Sequence, residues 1–408
     1  MKQLMNSGMD WLNTRLPVTK MWDEQAAKYH APKNFNFWYY FGSLAMFVLV
    51  NQLLTGIWLT MLYNPTGEGA FNSIEYIMRD VEYGWLLRYL HSTGASAFFV
   101  VIYLHMFRGL MYGSYKQPRE LLWIFGMFIY LALMGEAFMG YLLPWGQMSY
   151  WGAQVILSLA GAIPIVGDDL ALWVRGDYVI SGVTLNRFFA LHVAAIPVAL
   201  IGLVVMHLMA LHEVGSNNPD GVEIKNVKDS EGAPLDGVYF HPYYTVKDIV
   251  GVVVFLMVFC VVVFFFPDGG GLILEAPNFE PANALKTPDH IAPVWYFTPF
   301  YSVLRAIPHK LTGVVFFGAS IAFLFVLPWL DRSPVKSMRY RGWMSKFWLA
   351  AFVVSFLVLG YLGTQAVTPG KTTAARVFTV IYFLYFILMP FYTSIEKTKP
   401  VPERVTYK

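Results

Sequence analysis

Residues 85–105 read WLLRYLHSTGASAFFVVIYLH, and residues 187–207 read RFFALHVAAIPVALIGLVVMH. Each is an apolar run long enough to cross a bilayer, which takes about 20 helical residues at 1.5 Å rise. Each also carries two histidines, His91 and His105 in the first, His192 and His207 in the second. An ionisable side chain inside lipid is costly, so its presence points to function. His91 and His105 are 14 residues apart. That is roughly 21 Å along a helix with a net rotation of about 40°, so both lie on nearly one face, one near each edge of the hydrocarbon. His192 and His207 are 15 apart, which gives roughly 22.5 Å and a rotation of about 60° in the other sense. One extra residue must be absorbed for both rings to point the same way. Pro197 lies between them, and a proline or a π-bulge is the usual device. A local distortion is therefore predicted near residues 197–202.

A lone membrane histidine more often bridges helices than ligates a metal, but two pairs at matched depths favour ligation. Facing imidazoles with no carboxylate or cysteine nearby suit a planar iron macrocycle with both axial positions filled. Such an iron moves electrons and offers no open position to oxygen or substrate.

The composition agrees. Of 408 residues, 57% are hydrophobic and 13% charged, which reads as a polytopic α-helical membrane protein. The one cysteine, Cys260, sits in an apolar run; alone it builds no internal disulfide, cysteine-ligated zinc or iron–sulfur cluster. A net charge of +3 gives no reason to expect a nucleic-acid partner. The first 30 residues are polar and show no cleavable signal pattern.

Eight spans are predicted, at 38–61, 85–111, 121–142, 186–211, 247–266, 311–330, 345–363 and 374–393. Residues 1–37 form an interfacial amphipathic arm, 38–215 a four-helix bundle, and 216–408 a four-helix C-terminal region. The stretch 145–173 is too broken by Gly and Pro to span and reads as helices on the membrane surface. The Pro-rich segment 267–309 follows the fifth span. Eight spans put both termini on one side, and that side holds 20 of the 29 Lys and Arg. The positive-inside rule makes both termini cytoplasmic. The second and fourth spans then run parallel, pairing His91 with His192 near the outer face and His105 with His207 near the inner face. The expected fold is all-α, its first four helices bundled around two stacked hemes. Gly42 and Gly56 in the first span repeat the 14-residue interval, as do Gly126 and Gly140 in the third; glycine lets a flat ring approach the backbone. Arg88, Arg108 and Arg187 flank the histidines and suit heme propionates.

From the first span to the last, the chain resembles cytochrome b of the bacterial quinol–cytochrome c reductases, the cytochrome bc complex or complex III. The likeness rests on the four histidines, the four glycines, GYLLPWGQMSYWGA at 140–153, NRFFALH at 186–192, Lys247-Asp248, and PVWY at 293–296. It implies two b-type hemes and ubiquinol/ubiquinone as cofactors. It implies that quinol is oxidised at an outer site, one electron passing to a Rieske iron–sulfur protein and on to a membrane-anchored c-type cytochrome. The other electron crosses through the hemes to reduce quinone at an inner site, in a proton-translocating Q cycle. The implied location is the bacterial inner membrane. A homodimer of the complex and, within a supercomplex, a terminal oxidase are the further partners the resemblance implies. The family's outer site maps onto Tyr141, Gly152, Pro293, Trp295 and Tyr296, and its inner site onto His212, Ser216, Lys247 and Asp248.

The chain departs from the family pattern twice. Val294 stands where the family usually has a proton-accepting Glu, and valine accepts no proton. Glu275, Glu280 and Asp289, with His290 beside them, are the replacements in the same segment, and Glu275 is the preferred one. The His192–His207 interval is one residue longer than in most respiratory members, which puts the geometry of the fourth span in question but not the ligation. Two other readings compete: a diheme anchor subunit of a membrane dehydrogenase, which usually has fewer spans, and a transporter with histidine proton relays. The latter calls for a continuous polar path and inverted repeats, and neither is evident.

Overall fold

The computed structural model describes residues 2–407; Met1 and Lys408, the latter counted among the inner-side cations, lie outside them. Seven helices are long and apolar enough to span: Phe37–Thr60, Gly84–Tyr112, Glu120–Leu142, Gly182–Val214, Tyr243–Phe265, Lys310–Leu330 and Trp343–Thr364. Mean hydropathy reaches 3.0 in the fifth. A helix apolar all round has no water-facing stripe and is stable only in a bilayer or a deep core. The eighth span is not the single helix expected at 374–393. Pro369–Ile387 and Met389–Ile395 meet at 53°, because Pro390 lacks the donor that would carry the helix through, and its ring disfavours helical geometry in the residue before it.

The distortion of the fourth span is real but lies one turn earlier than expected. Residues Leu191–Ala195 form a π-helical turn, followed by regular helix from Ile196–Val214. The shift follows from the chemistry of proline, whose missing N–H and bulky ring act on the carbonyl four residues back, at Val193. A π turn takes up one residue, so the 15-residue interval rotates like one of 14. That brings His192 and His207 onto one face.

The first span packs on the second and the third on the fourth. The surface helices expected at 145–173 form as Gln147–Ala160 and Gly167–Arg175. Two further helices are found that periodicity did not single out. Ala70–Arg79 lies between the first two spans, and Thr298–Ala306 lies inside the Pro-rich segment. The latter is buried against the seventh span along Phe300, Val303 and Ala306, so much of this segment is core rather than loop. Its register is set by Gly363, where a Cβ would come 2.3 Å from the Thr298 carbonyl oxygen.

At the end carrying both termini, the N-terminal arm is pinned by a two-stranded sheet. His30–Pro32 pairs antiparallel with Gly237–Tyr239, His30 opposite Tyr239. The chain end closes over it. Arg404 makes a two-pronged contact with Asp236 at 2.7 and 2.8 Å, Lys33 reaches the same carboxylate at 2.8 Å, and the Thr406 amide donates to Asp220 at 2.6 Å.

Candidate functional site

The four histidines meet as two pairs. The rings of His91 and His192 have centroids 6.2 Å apart, and those of His105 and His207 are 6.4 Å apart. Two metal–imidazole bonds of about 2.0–2.1 Å, with a ring radius of about 1.1 Å on each side, sum to about 6.3 Å. Each pair is thus spaced to hold one metal atom between two nitrogens. Among the described residues, no group of three or more His, Cys, Asp or Glu is arranged to hold a metal ion. Two imidazoles alone suit only a metal whose remaining positions are filled by its own macrocycle.

The surroundings fit such a plane. A Cβ on Gly42 would touch the His105 ring at 3.5 Å, one on Gly56 the His91 ring at 3.2 Å, and one on Gly126 the His207 ring at 3.3 Å. On Gly140 it would come within 2.4 Å of His192, inside any tolerable contact. The matched glycines therefore back the four rings, one glycine per ring. His91 Nδ1 lies 2.9 Å from the Thr55 hydroxyl. His192 Nδ1 lies 2.9 Å from the Glu136 carbonyl and 3.0 Å from its carboxylate. With Nδ1 engaged, Nε2 is the nitrogen left for a metal. The expectation that no carboxylate stands near the histidines is corrected here, because the helical turn that places Gly140 behind His192 also places Glu136 beside it.

The outer pair opens into a cavity of about 340 Å³. Arg88 lines that cavity, and the buried Nε of Arg108 has no hydrogen-bond partner among the described residues. Both suit anionic groups on a cofactor rim. Arg187 does not join them. It is exposed and donates to the Trp173 carbonyl at 2.5 Å, packed where Gly176 leaves room in a left-handed turn. That bond ties the fourth span to the preceding surface helix.

The same cavity continues to Tyr141, Val294 and Tyr296. Tyr141 donates to Glu275 at 2.9 Å. Burial pushes the Glu275 carboxyl up to about 7, a value suited to taking a proton at neutral pH. Glu280 and Asp289 are exposed, and His290 points to the Thr364 carbonyl at 3.3 Å; among these described residues Glu275 is the one hydrogen-bonded to a side chain of the cavity wall. Gly152 is buried against the Tyr141 ring, where a Cβ would sit at 3.6 Å. Tyr296 stacks on Phe99 with centroids 3.9 Å apart, and its carbonyl accepts from Tyr103 at 2.5 Å. Trp295 donates to Ser96 at 3.1 Å. Pro293 leads into the tight Trp295–Phe297 turn, so the wall is held at both ends.

The inner-site residues fall into two groups. His212 is stacked under Tyr29 at 4.5 Å, and Tyr29 bonds Ser216 at 2.9 Å. Asp248 accepts from Ser43 at 2.9 Å, while Lys247 reaches the Tyr243 hydroxyl at 2.9 Å and lies over that ring. Among the described residues, no hydrogen bond or ion pair joins the two groups. Phe240 lies 6.4 Å from Tyr29 and 6.1 Å from Tyr244, the ring that Lys247 approaches at 5.3 Å. Sequence reasoning missed Tyr29, Ser43, Thr55 and Glu136. Only Glu136 carried a signal, as the one charged side chain inside the third span beyond its first turn.

Family models describe the same two parts of the chain. The cytochrome b/b6/petB model matches residues 26–215, and the cytochrome b C-terminal/b6/petD model matches 281–383. The chain belongs to the cytochrome b/b6 family. It is 61% identical to cytochrome b of Allochromatium vinosum over 98% of both chains. It is 48% identical to that of Rhodospirillum rubrum over 98% of this chain and 96% of the relative. A chain of a solved hyperthermophilic respiratory complex III superposes with a TM-score of 0.88 at 40% identity, covering 95% of this chain and 99% of that one. Membership makes this a b-type heme subunit of an oxidoreductase complex in respiratory electron transport.

Proposed function

We propose that the chain is the diheme, quinone-binding core of a ubiquinol–cytochrome c reductase. It works with a Rieske iron–sulfur protein and a membrane-anchored c-type cytochrome in the bacterial inner membrane, both termini cytoplasmic. The observation that carries this is the pair of facing imidazole couples, each at the spacing of a doubly ligated iron. Hemes held there supply one-electron transfer across the bilayer. His91 and His192 hold the outer one, His105 and His207 the inner one. Arg88 and Arg108 neutralise the propionates.

At the outer site, Tyr141, Pro293, Trp295 and Tyr296 shape the pocket, and Glu275 takes a proton from the quinol hydroxyl. Tyr141 holds that carboxylate in place. One electron leaves toward the Rieske protein and the other toward His91 and His192. At the inner site, His212 and Asp248 bring protons to the carbonyl oxygens of a quinone, with Lys247 and Ser216 as further donors. Proton release outside and uptake inside follow from the two depths.

The test is quinol-dependent reduction of cytochrome c by the purified complex. The parent complex should turn over, and His192→Leu should abolish turnover together with the outer-heme signal. A complex that reduces cytochrome c equally well with His192→Leu contradicts the proposal.

A further inference from the structure

Glu136 is the one charged side chain in the third span beyond its first turn. It lies one helical turn before Gly140, the glycine whose missing side chain admits the His192 ring. Its Oε1 is 3.0 Å from His192 Nδ1, and its backbone carbonyl is 2.9 Å from the same nitrogen. Its Oε2 is buried without a hydrogen-bond partner among the described residues, and the side chain lines the outer cavity. The opposite ring meets a neutral hydroxyl, Thr55, at 2.9 Å. At the inner pair, His105 Nδ1 and His207 Nδ1 are buried without hydrogen-bond partners among the described residues. A carboxylate therefore stands at one of the four rings.

We infer that Glu136 is a positioning residue that lowers the potential of the outer heme, its carboxylate accepting the His192 Nδ1–H. The inference rests on the two-heme reading. The backbone carbonyl already suffices to fix the tautomer and orientation of the ring. What the carboxylate adds is negative charge. A carboxylate on a ligating histidine raises its basicity toward the metal. A negative charge in a low-dielectric site also favours the more positive ferric state. Both effects lower the potential.

The experiment is a potential titration of both b-type signals in the intact complex, with electron paramagnetic resonance of the ferric hemes, comparing the parent with Glu136→Gln and Glu136→Asp. Glu136→Gln keeps the shape and removes the charge. At a fixed potential its outer heme should be about tenfold more reduced, an upward midpoint shift of about 59 mV for a one-electron couple. The outer resonance signal should shift as well, and the inner midpoint should stay put. Glu136→Asp draws the charge back by one methylene and should give a smaller shift in the same direction. An outer midpoint and resonance signal at parental values in either variant overturns the inference, and if Glu136→Gln does not assemble, Glu136→Asp alone decides it. A parent complex with fewer than two hemes would instead sink the two-heme reading itself.

Discussion

At the scale of single residues, the outer pocket depends on a carboxylate, Glu275, that stands earlier in the Pro-rich segment than Val294. Glu275 is half-buried, held by Tyr141, and raised to about 7 by burial. A proton acceptor must be ionised, so quinol oxidation in the parent should rise with pH through about 7. Glu275→Gln should run at least about tenfold slower and lose that rise; an unchanged rate and profile would falsify the assignment. The glycines make a graded prediction. Gly140→Ala pushes a methyl group to 2.4 Å from the His192 ring, whereas Gly42→Ala meets His105 at 3.5 Å, an ordinary contact. Heme assays should find the outer heme lost in the first and both hemes kept in the second. The two facing histidine pairs and the glycines behind them were readable in the sequence because helical spacing alone relates them. The bond from Arg187 to the Trp173 carbonyl was not readable, because position along the chain says nothing of the helix that packs beside it. Tyr29 was unreadable because only the folded arm brings it over His212.

At the scale of elements, the fourth span carries the most specific prediction. The π turn at Leu191–Ala195 exists to absorb one residue. Deleting Ala194 should restore an unbroken α-helix with a 14-residue interval between the two histidines, and both hemes should remain spectroscopically bound. Loss of either heme would show that the turn does more than correct the register. Long apolar runs made seven of the spans readable to within a few residues, since length and hydropathy alone suffice in lipid. The bend at Pro390 and the buried helix Thr298–Ala306 were not readable. The first sits at the end of an apolar run that continues past it. The second is short, and its apolar face shows only once the seventh span is there to cover it.

At the scale of the whole molecule, the two chain ends are tied to each other and to the inner site through Asp220 and Asp236. Lys33, Arg404 and the Val405 amide hold the Asp236 carboxyl well below its usual range. A carboxylate depressed in the fold contributes stability above its unfolded value near pH 4, and this is lost as the pH falls further. Asp236→Asn should cost about 2 kcal/mol at neutral pH, read as a lower thermal midpoint of the complex. The gap from the parent should close on acidification, and a gap that stays constant with pH would contradict the charge-based account. The same tie fixes the strand that leads out of Tyr29, so the variant should also weaken quinone reduction at the inner site. All of this presupposes two cofactors stacked between four histidines. A reduced-minus-oxidised optical spectrum of the purified complex, titrated with potential and paired with a heme assay, tests that most directly. Two b-type hemes per chain at separable midpoints are expected; one heme, or none, would break the pairing of His91 with His192 and of His105 with His207.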